Sequence, residues 1–163
     1  MITQGKIIIA KRQAFLEKLT PFVIAKHREL TDGKENISLI YETCSDFAKE
    51  LTAARERDIR LRTTTVGPHR DDIAILINGQ DVRTYGSQGQ QRTAALSIKL
   101  GELELFTQLT GERPILLLDD VFNELDSSRQ SRLLTAIANT QAIITATDAP
   151  TIGKIFQVRN GTV

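Results

Sequence analysis

The stretch Ile115-Leu-Leu-Leu-Asp-Asp120 constrains this chain more than any other. Four aliphatic residues without polar alternation are expected of a central strand covered on both faces, as in parallel sheets. The run stops at two carboxylates, and Leu125-Asp-Ser-Ser-Arg129 behind them reads as a helix capped by Asp126. Ligands of open α/β sheets collect at the carboxyl ends of strands, where Asp119 and Asp120 fall. Asp119 is placed to hold Mg²⁺, directly or through water, because a hard cation takes oxygen ligands. Asp120 is placed to orient or deprotonate an attacking water, as phosphoryl transfer requires. Two adjacent acids can equally begin a loop; the aliphatic run before them and the capped helix after them favour chemistry.

A second constraint lies about thirty residues earlier, at Tyr85-Gly-Ser-Gln-Gly-Gln-Gln91. Gly86 and Gly89 permit close backbone approach and positive φ. Free N–H groups at the start of the next helix favour an anion, and Ser87 adds a hydroxyl. Ser87, Gln88, Gly89 and Gln90 are therefore candidate phosphate contacts; the alternative is an ordinary glycine turn with a helix cap. The helix is expected from about Gln90 to Gln108. Leu96, Leu100 and Leu103 mark one face, and Ile98, Leu105 and Leu109 widen it, the pattern of a buried helix. Gln141–Thr145 reads as another interior strand, and Ile155–Val158 closes on an Asn160-Gly161 turn. Strand–helix–strand alternation predicts an α/β layer with parallel strands. No phosphate-cradling loop of the G-x-x-x-x-G-K-[ST] type occurs in the sequence.

The front half reads differently. Residues 3–19 are expected to be helical, with Ile8, Phe15, Leu19 and Phe22 on one face. Thr20-Pro21 looks like a cap and a first-turn proline, starting a second helix that ends near Asp32-Gly33. His27 has no histidine or cysteine at metal spacing and reads as a surface residue. Ile37–Glu42 alternates as a strand. Ser45 to about Arg62 turns helical, with Phe47, Leu51, Ala54 and Ile59 inward and Ser45 or Asp46 as cap. Arg55, Arg57, Arg60 and Arg62 could grip phosphates, or form a solvated face that suits the helix dipole. Thr63–Val66 could be a short strand, broken at Gly67-Pro68. The quartet His69-Arg70-Asp71-Asp72 fits either a ligand contact or an ion-paired turn. Ile73–Ile77 is a strand, Asn78-Gly79 a tight hairpin, and Gln80–Thr84 the return strand.

At 163 residues the chain is one domain, or one with an appendage. The net charge of +1 gives no overall pull on polyanions. Residues 1–70 carry 13 Lys/Arg against 9 Asp/Glu, and residues 71–163 carry 8 against 11, so the front is mildly basic. The single Cys44 excludes an internal disulfide and suits a reducing, cytoplasmic setting. Ile7–Ala10 is too short to span a membrane, so no membrane role is expected. Without tryptophan, a base-stacking platform is not expected either.

The order Gly86-Ser-Gln-Gly-Gln90, Ile115–Asp120, Leu125-Asp126 resembles the signature, Walker B and D-loop series of the ABC-type ATPases. With Val66-Gly-Pro-His-Arg-Asp-Asp72 and Tyr85-Gly-Ser-Gln-Gly-Gln-Gln-Arg-Thr93, it is similar to the RecF family, related to SMC-type heads. The resemblance covers the whole chain and only the carboxyl-terminal part of the family protein. It implies an α/β fold: residues 1–62 a helical arm from the second lobe, residues 63–163 the carboxyl-terminal lobe of the ATPase head. It implies Asp119 as the Walker B acid on Mg²⁺ and Asp120 as the hydrolytic acid, where many relatives have glutamate, so hydrolysis would be slow. Ser87, Gly89 and Gln90, with Gln88 between them, would meet ATP held by the opposite protomer. Asp126 would stand at the dimer seam, and Thr145–Asp148 in the switch region, which lacks the histidine common in transporters.

The family also implies an ATP-dependent homodimer on double-stranded and gapped DNA, RecR with RecO as partners, and promotion of RecA loading. Its Walker A loop precedes the helical lobe, so a chain without one is expected to be a piece of a longer protein that does not bind ATP tightly alone. The alternatives are a non-catalytic DNA- or protein-binding module, or a metal-dependent nuclease or phosphatase using Asp119, Asp120 and Asp126. The last lacks a further acid or histidine cluster to support two metals.

Overall fold

The computed structural model describes residues 2–147 and 153–158, and Glu124 by its backbone alone. The first element, α1, is one helix of 30 residues, Ile2–Thr31, with Pro21 inside it. The expected break at Thr20-Pro21 is absent. Proline removes one ladder bond, and the Thr20 hydroxyl donates to the Leu16 carbonyl at 2.7 Å. Packing then carries the helix through, because Leu16, Leu19, Val23, His27 and Leu30 form a continuous buried stripe. The apolar face also differs from expectation: Ile8 and Phe15 are each 42% exposed. The helix stops where Asp32 and Gly33 both adopt positive φ.

Strand β1 (Ile37–Glu42) pairs antiparallel with β2 (Asp72–Ile77), and α2 (Phe47–Leu61) lies between them in sequence. The pair joins residues on either side of position 62 in one sheet. Asp46 caps α2 by accepting the Lys49 N–H. Residues 63–66 form no strand, because Asp58 takes both the N–H and the hydroxyl of Thr65 and ties this segment to α2. Asn78 and Gly79 turn the hairpin with φ of 52° and 81°, as a type I′ turn requires. The return strand β3 is only Gln80–Asp81. Asp81 diverts it by capping the short helix α3 (Val82–Tyr85) through the Thr84 N–H at 2.8 Å.

Helix α4 (Gln88–Thr110) crosses the molecule and ends at Gly111, whose φ is 75°. It serves two cores. Ala94 and Leu105 join Leu19, Val23, Ile37, Ile77 and Val82 against the antiparallel sheet. Leu96, Leu100 and Leu103 join Leu116, Leu118, Leu133 and Ile137 beneath the second sheet. That sheet is β4 (Leu116–Leu118) parallel to β5 (Ala142–Ile144), with a 3₁₀ turn (Val121–Glu124) and α5 (Ser127–Ala136) between them. Cover on both faces was expected, but only one face is covered here. Leu116 and Leu118 are buried, whereas Leu117 is 71% exposed and its neighbour Ile143 58%. Residues 155–158 are exposed and form no strand. Asp148, Asn160 and Gly161 lie outside the described residues. Among the described residues no helix is long and apolar enough to cross a membrane.

Candidate functional site

Ser87 caps α4. Its hydroxyl oxygen accepts the Gln90 N–H at 3.2 Å, and the Gln90 side-chain oxygen accepts the Ser87 N–H at 3.0 Å. This reciprocal box satisfies two N–H groups at the helix start and leaves Ser87 and Gln88 exposed. Positive φ was expected of the glycines, but Gly86 has φ of −72° and Gly89 is within the helix. Gly86 is needed for space: a β-carbon there would stand 2.4 Å from the Val82 carbonyl oxygen.

Asp119 and Asp120 follow β4 directly and are exposed. Both turn on Thr145, just past the end of β5. Its hydroxyl donates to the Asp119 carboxylate and accepts the Asp120 N–H at 3.0 Å. Asp120 takes φ of 51°, and its carboxylate accepts the Asn123 amide at 2.6 Å. Asn123 in turn accepts the Thr147 hydroxyl at 3.0 Å. Among the described residues no group of three or more His, Cys, Asp or Glu side chains could hold a metal ion. Two exposed carboxylates at one strand tip are oxygen donors of the kind a hard cation takes, and Mg²⁺ commonly fills its other positions with water and substrate phosphates. Among the described residues the two-metal alternative gains no further ligand.

Asp126 caps α5, accepting the Arg129 N–H at 2.9 Å and its guanidinium at 3.0 Å. That backbone bond, then the Arg129 charge, hold the Asp126 carboxyl below its ordinary range. Arg129 also leans to 3.8 Å from Glu35 Oε1, the oxygen that accepts the Gln90 amide at 3.2 Å. The candidates thus fall into two groups: Ser87–Gln90 with Asp126, joined through Glu35 and Arg129; and Asp119 with Asp120, joined through Thr145. Glu35 and Arg129 carried no sequence signal, since a lone acid in a loop and an arginine on a capped helix are commonplace.

His27 corrects an expectation: it is fully buried. Its Nδ1 lies 3.0 Å from Ser97 Oγ, whose own proton goes to the Thr93 carbonyl at 2.7 Å. The imidazole must then donate from Nδ1. Its bare Nε2 faces Glu35 Oε2 at 3.5 Å, and neither atom has a hydrogen-bond partner. Burial outweighs the nearby carboxylate and lowers the His27 pKa below 6.5. A histidine kept neutral in the fold takes up its proton more readily when unfolded, so stability is lost as pH falls. Urea unfolding of the chain should give a midpoint that drops from about pH 6.5 downward, with the drop much reduced in His27→Gln. A midpoint flat across that window would contradict a buried neutral imidazole.

The remaining charged features lie away from these two groups. Arg55, Arg60 and Arg62 are exposed, while Arg57 donates to Thr65. In the quartet, His69 Nε2 donates to the Thr64 carbonyl at 2.9 Å. Arg70 folds back on Gly67 and Thr64. Asp71 accepts the Tyr41 hydroxyl, and Asp72 pairs with Arg83 at 3.0 Å. These bonds give each member of the quartet a partner within the fold, with one ion pair, Asp72 to Arg83, among them.

No family model matches the chain. It is 49% identical over 173 residues to the DNA replication and repair protein RecF of Lachnoclostridium phytofermentans, aligning all of this chain with 48% of that protein. It is 47% identical over 168 residues to the protein of the same name from Lactococcus lactis subsp. lactis, covering 98% of this chain and 47% of the relative. A solved structure of the recombination mediator protein RecF-ATP in the RecFOR pathway superposes with a TM-score of 0.78 and 38% identity, over 93% of this chain and 44% of that one. A second, with ATPrS, gives the same TM-score at 37% identity, over 96% and 46%. The chain spans about half the length of the relatives it matches. From end to end, this chain is homologous to the carboxyl-terminal part of RecF, an ABC-type ATPase.

Proposed function

We propose that this chain supplies the hydrolytic acids and the trans-acting lip of a RecF-type ATPase, with the Walker A cradle coming from polypeptide outside these 163 residues. One observation carries the reading: both acids at the β4 tip and the Ser87–Gln88 turn are solvent-facing ends of elements anchored in the core by Leu116, Leu118, Leu96 and Leu100. Elements packed in the core hold these exposed groups in fixed places, which electrostatic catalysis needs. Asp119 would hold Mg²⁺ directly or through water, with the Thr145 hydroxyl fixing its carboxylate. Mg²⁺ would neutralise charge developing on the transferred phosphoryl group. Asp120 would orient the attacking water. Ser87, Gln88, Gly89 and Gln90 would meet ATP held by a second copy, with Asp126 at the seam. Residues 1–62 then act as the helical lobe and 63–163 as the carboxyl-terminal lobe, joined by the β1–β2 pairing.

The open face of β4 and β5 supports a missing lobe, since Leu117, Ile143 and Ile115 form an exposed apolar set. The complete protein would work in the cytoplasm as an ATP-dependent dimer on double-stranded and gapped DNA, with RecR and RecO, and would promote RecA loading. Mixing this chain with the amino-terminal half of such a protein tests the proposal. Mg²⁺-dependent ATP hydrolysis and ATP-dependent dimers should form only when both halves are present. Two halves that associate but never turn over ATP would overturn it.

A further inference from the structure

One hydrogen bond and one longer ion pair place a single carboxylate between two motifs about 40 residues apart. We infer that Glu35 is a positioning residue that locks the turn before α4 to the turn before α5, so that Ser87–Gln90 and Asp126 move as one body. Glu35 is mostly buried in the short link between α1 and β1. Its Oε1 accepts the Gln90 amide at 3.2 Å and lies 3.8 Å from Arg129 Nη2. Its Oε2 lies against the buried His27 ring.

Each partner has its other end committed. The Gln90 side-chain oxygen is held by the Ser87 N–H, which fixes the amide with its nitrogen toward Glu35. Arg129 is held by Asp126. Arg129 Nη1 also stands 3.2 Å from where a β-carbon on Gly89 would be, so the first turn of α4 and the arginine are in direct reach. Rotating the α4 turn stretches the Gln90 hydrogen bond, and rotating the α5 turn pulls Arg129 from its ion pair, with the same carboxylate. Arg132 makes a separate tie, reaching the Leu30 carbonyl at 3.4 Å and Asp32 at 3.2 Å. It anchors α5 to the end of α1, and both of these ties lead away from the Gln90 turn, which makes it the natural control.

The functional meaning of this coupling rests on the ATPase reading above; the coupling itself does not. Amide hydrogen exchange on the 163-residue chain without nucleotide separates the two. The reporters are the cap-bonded amides of Gln90, Gln91, Arg129 and Gln130. Glu35→Ala should speed exchange at Gln90 and Gln91 by about tenfold, the size of one lost charge-assisted hydrogen bond, and at Arg129 and Gln130 by a smaller factor of about two to five, the size of one lost ion pair. The β1–β2 amides, which report the integrity of the fold, should be unchanged. Glu35→Gln keeps a carbonyl for the Gln90 amide and loses the charge facing Arg129. It should therefore loosen only Arg129 and Gln130, which keeps the test decisive if the alanine variant folds poorly. Arg132→Ala should leave Gln90 and Gln91 untouched. Acceleration at one turn alone in Glu35→Ala, or at neither, would overturn the coupling. In the reconstituted two-half protein, Glu35→Ala should lower kcat by about tenfold with KM for ATP unchanged, as a loss of transition-state stabilisation that leaves substrate binding intact does. A raised KM instead would assign Glu35 to nucleotide binding and overturn its positioning role.

Discussion

Asp120→Asn should cut ATP turnover by the reconstituted protein at least about 100-fold, the usual contribution of a general base, while ATP-driven association of the two copies persists. The surroundings of Asp120 make this a clean substitution. Its backbone sits at φ of 51°, a conformation asparagine tolerates better than most residues. Asparagine keeps an oxygen for the Asn123 amide at 2.6 Å, and the main-chain N–H keeps its bond to Thr145. The strand end and the Asp119 carboxylate should thus remain in place. What is lost is the negative charge and basicity that would align and deprotonate water. Turnover measured against Mg²⁺ concentration separates the two acids. Asp119→Asn should raise the Mg²⁺ needed, whereas Asp120→Asn should lower the maximum rate at an unchanged Mg²⁺ requirement. Undiminished turnover in Asp120→Asn would remove that residue from the chemistry.

The elements that carry this site were legible where local chemistry dictates them. The aliphatic run ending in acids gave β4 and its tip. Asp126 gave the start of α5, whereas α4 was expected from about Gln90 and begins at Gln88, because Ser87 was read first as a phosphate contact and is the helix cap. The Asn78-Gly79 pair gave the hairpin because few other residues accept its dihedral angles. What sequence could not give was contact across distance. Pro21 looked like a helix start because that is its local preference; packing on α4 overrode it. His27 looked like a surface residue because nothing nearby in sequence pairs with it, yet its partners are Ser97, 70 positions away, and Glu35 across a turn. Glu35 and Arg129 went unnoticed for the same reason. The open face of β4 was unreadable from its residues alone, since a strand rich in leucine looks alike whether or not its second layer belongs to the same polypeptide.

Gly101→Ala should destabilise the chain by about 1–3 kcal/mol, the ordinary cost of overpacking a filled core, although alanine favours a helix interior over glycine by about 1 kcal/mol. The two effects have opposite signs, so urea unfolding decides between them. Gly101 is buried where α4 crosses α1. A β-carbon there would stand 2.8 Å from Val23 Cγ2, 2.9 Å from Val23 N and 3.1 Å from Val23 Cα. A rotamer change can withdraw only the first of these atoms; the other two are backbone in the middle of a helix. The helices must separate, and Val23, which is fully buried, loses its neighbours. Val23→Ala added to Gly101→Ala should therefore fail to restore stability. A double variant as stable as Val23→Ala alone would show that only the valine side chain stood in the way. A stability gain in Gly101→Ala would mean that the helices are not in this contact. The spacing matters beyond stability, because α4 carries Ser87 at one end while the end of α1 leads into Glu35. Spreading the helices at Gly101 would move Gln90 away from the carboxylate that receives it. The cap-bonded amides of Gln90 and Gln91 should then exchange faster in any fraction of Gly101→Ala that remains folded.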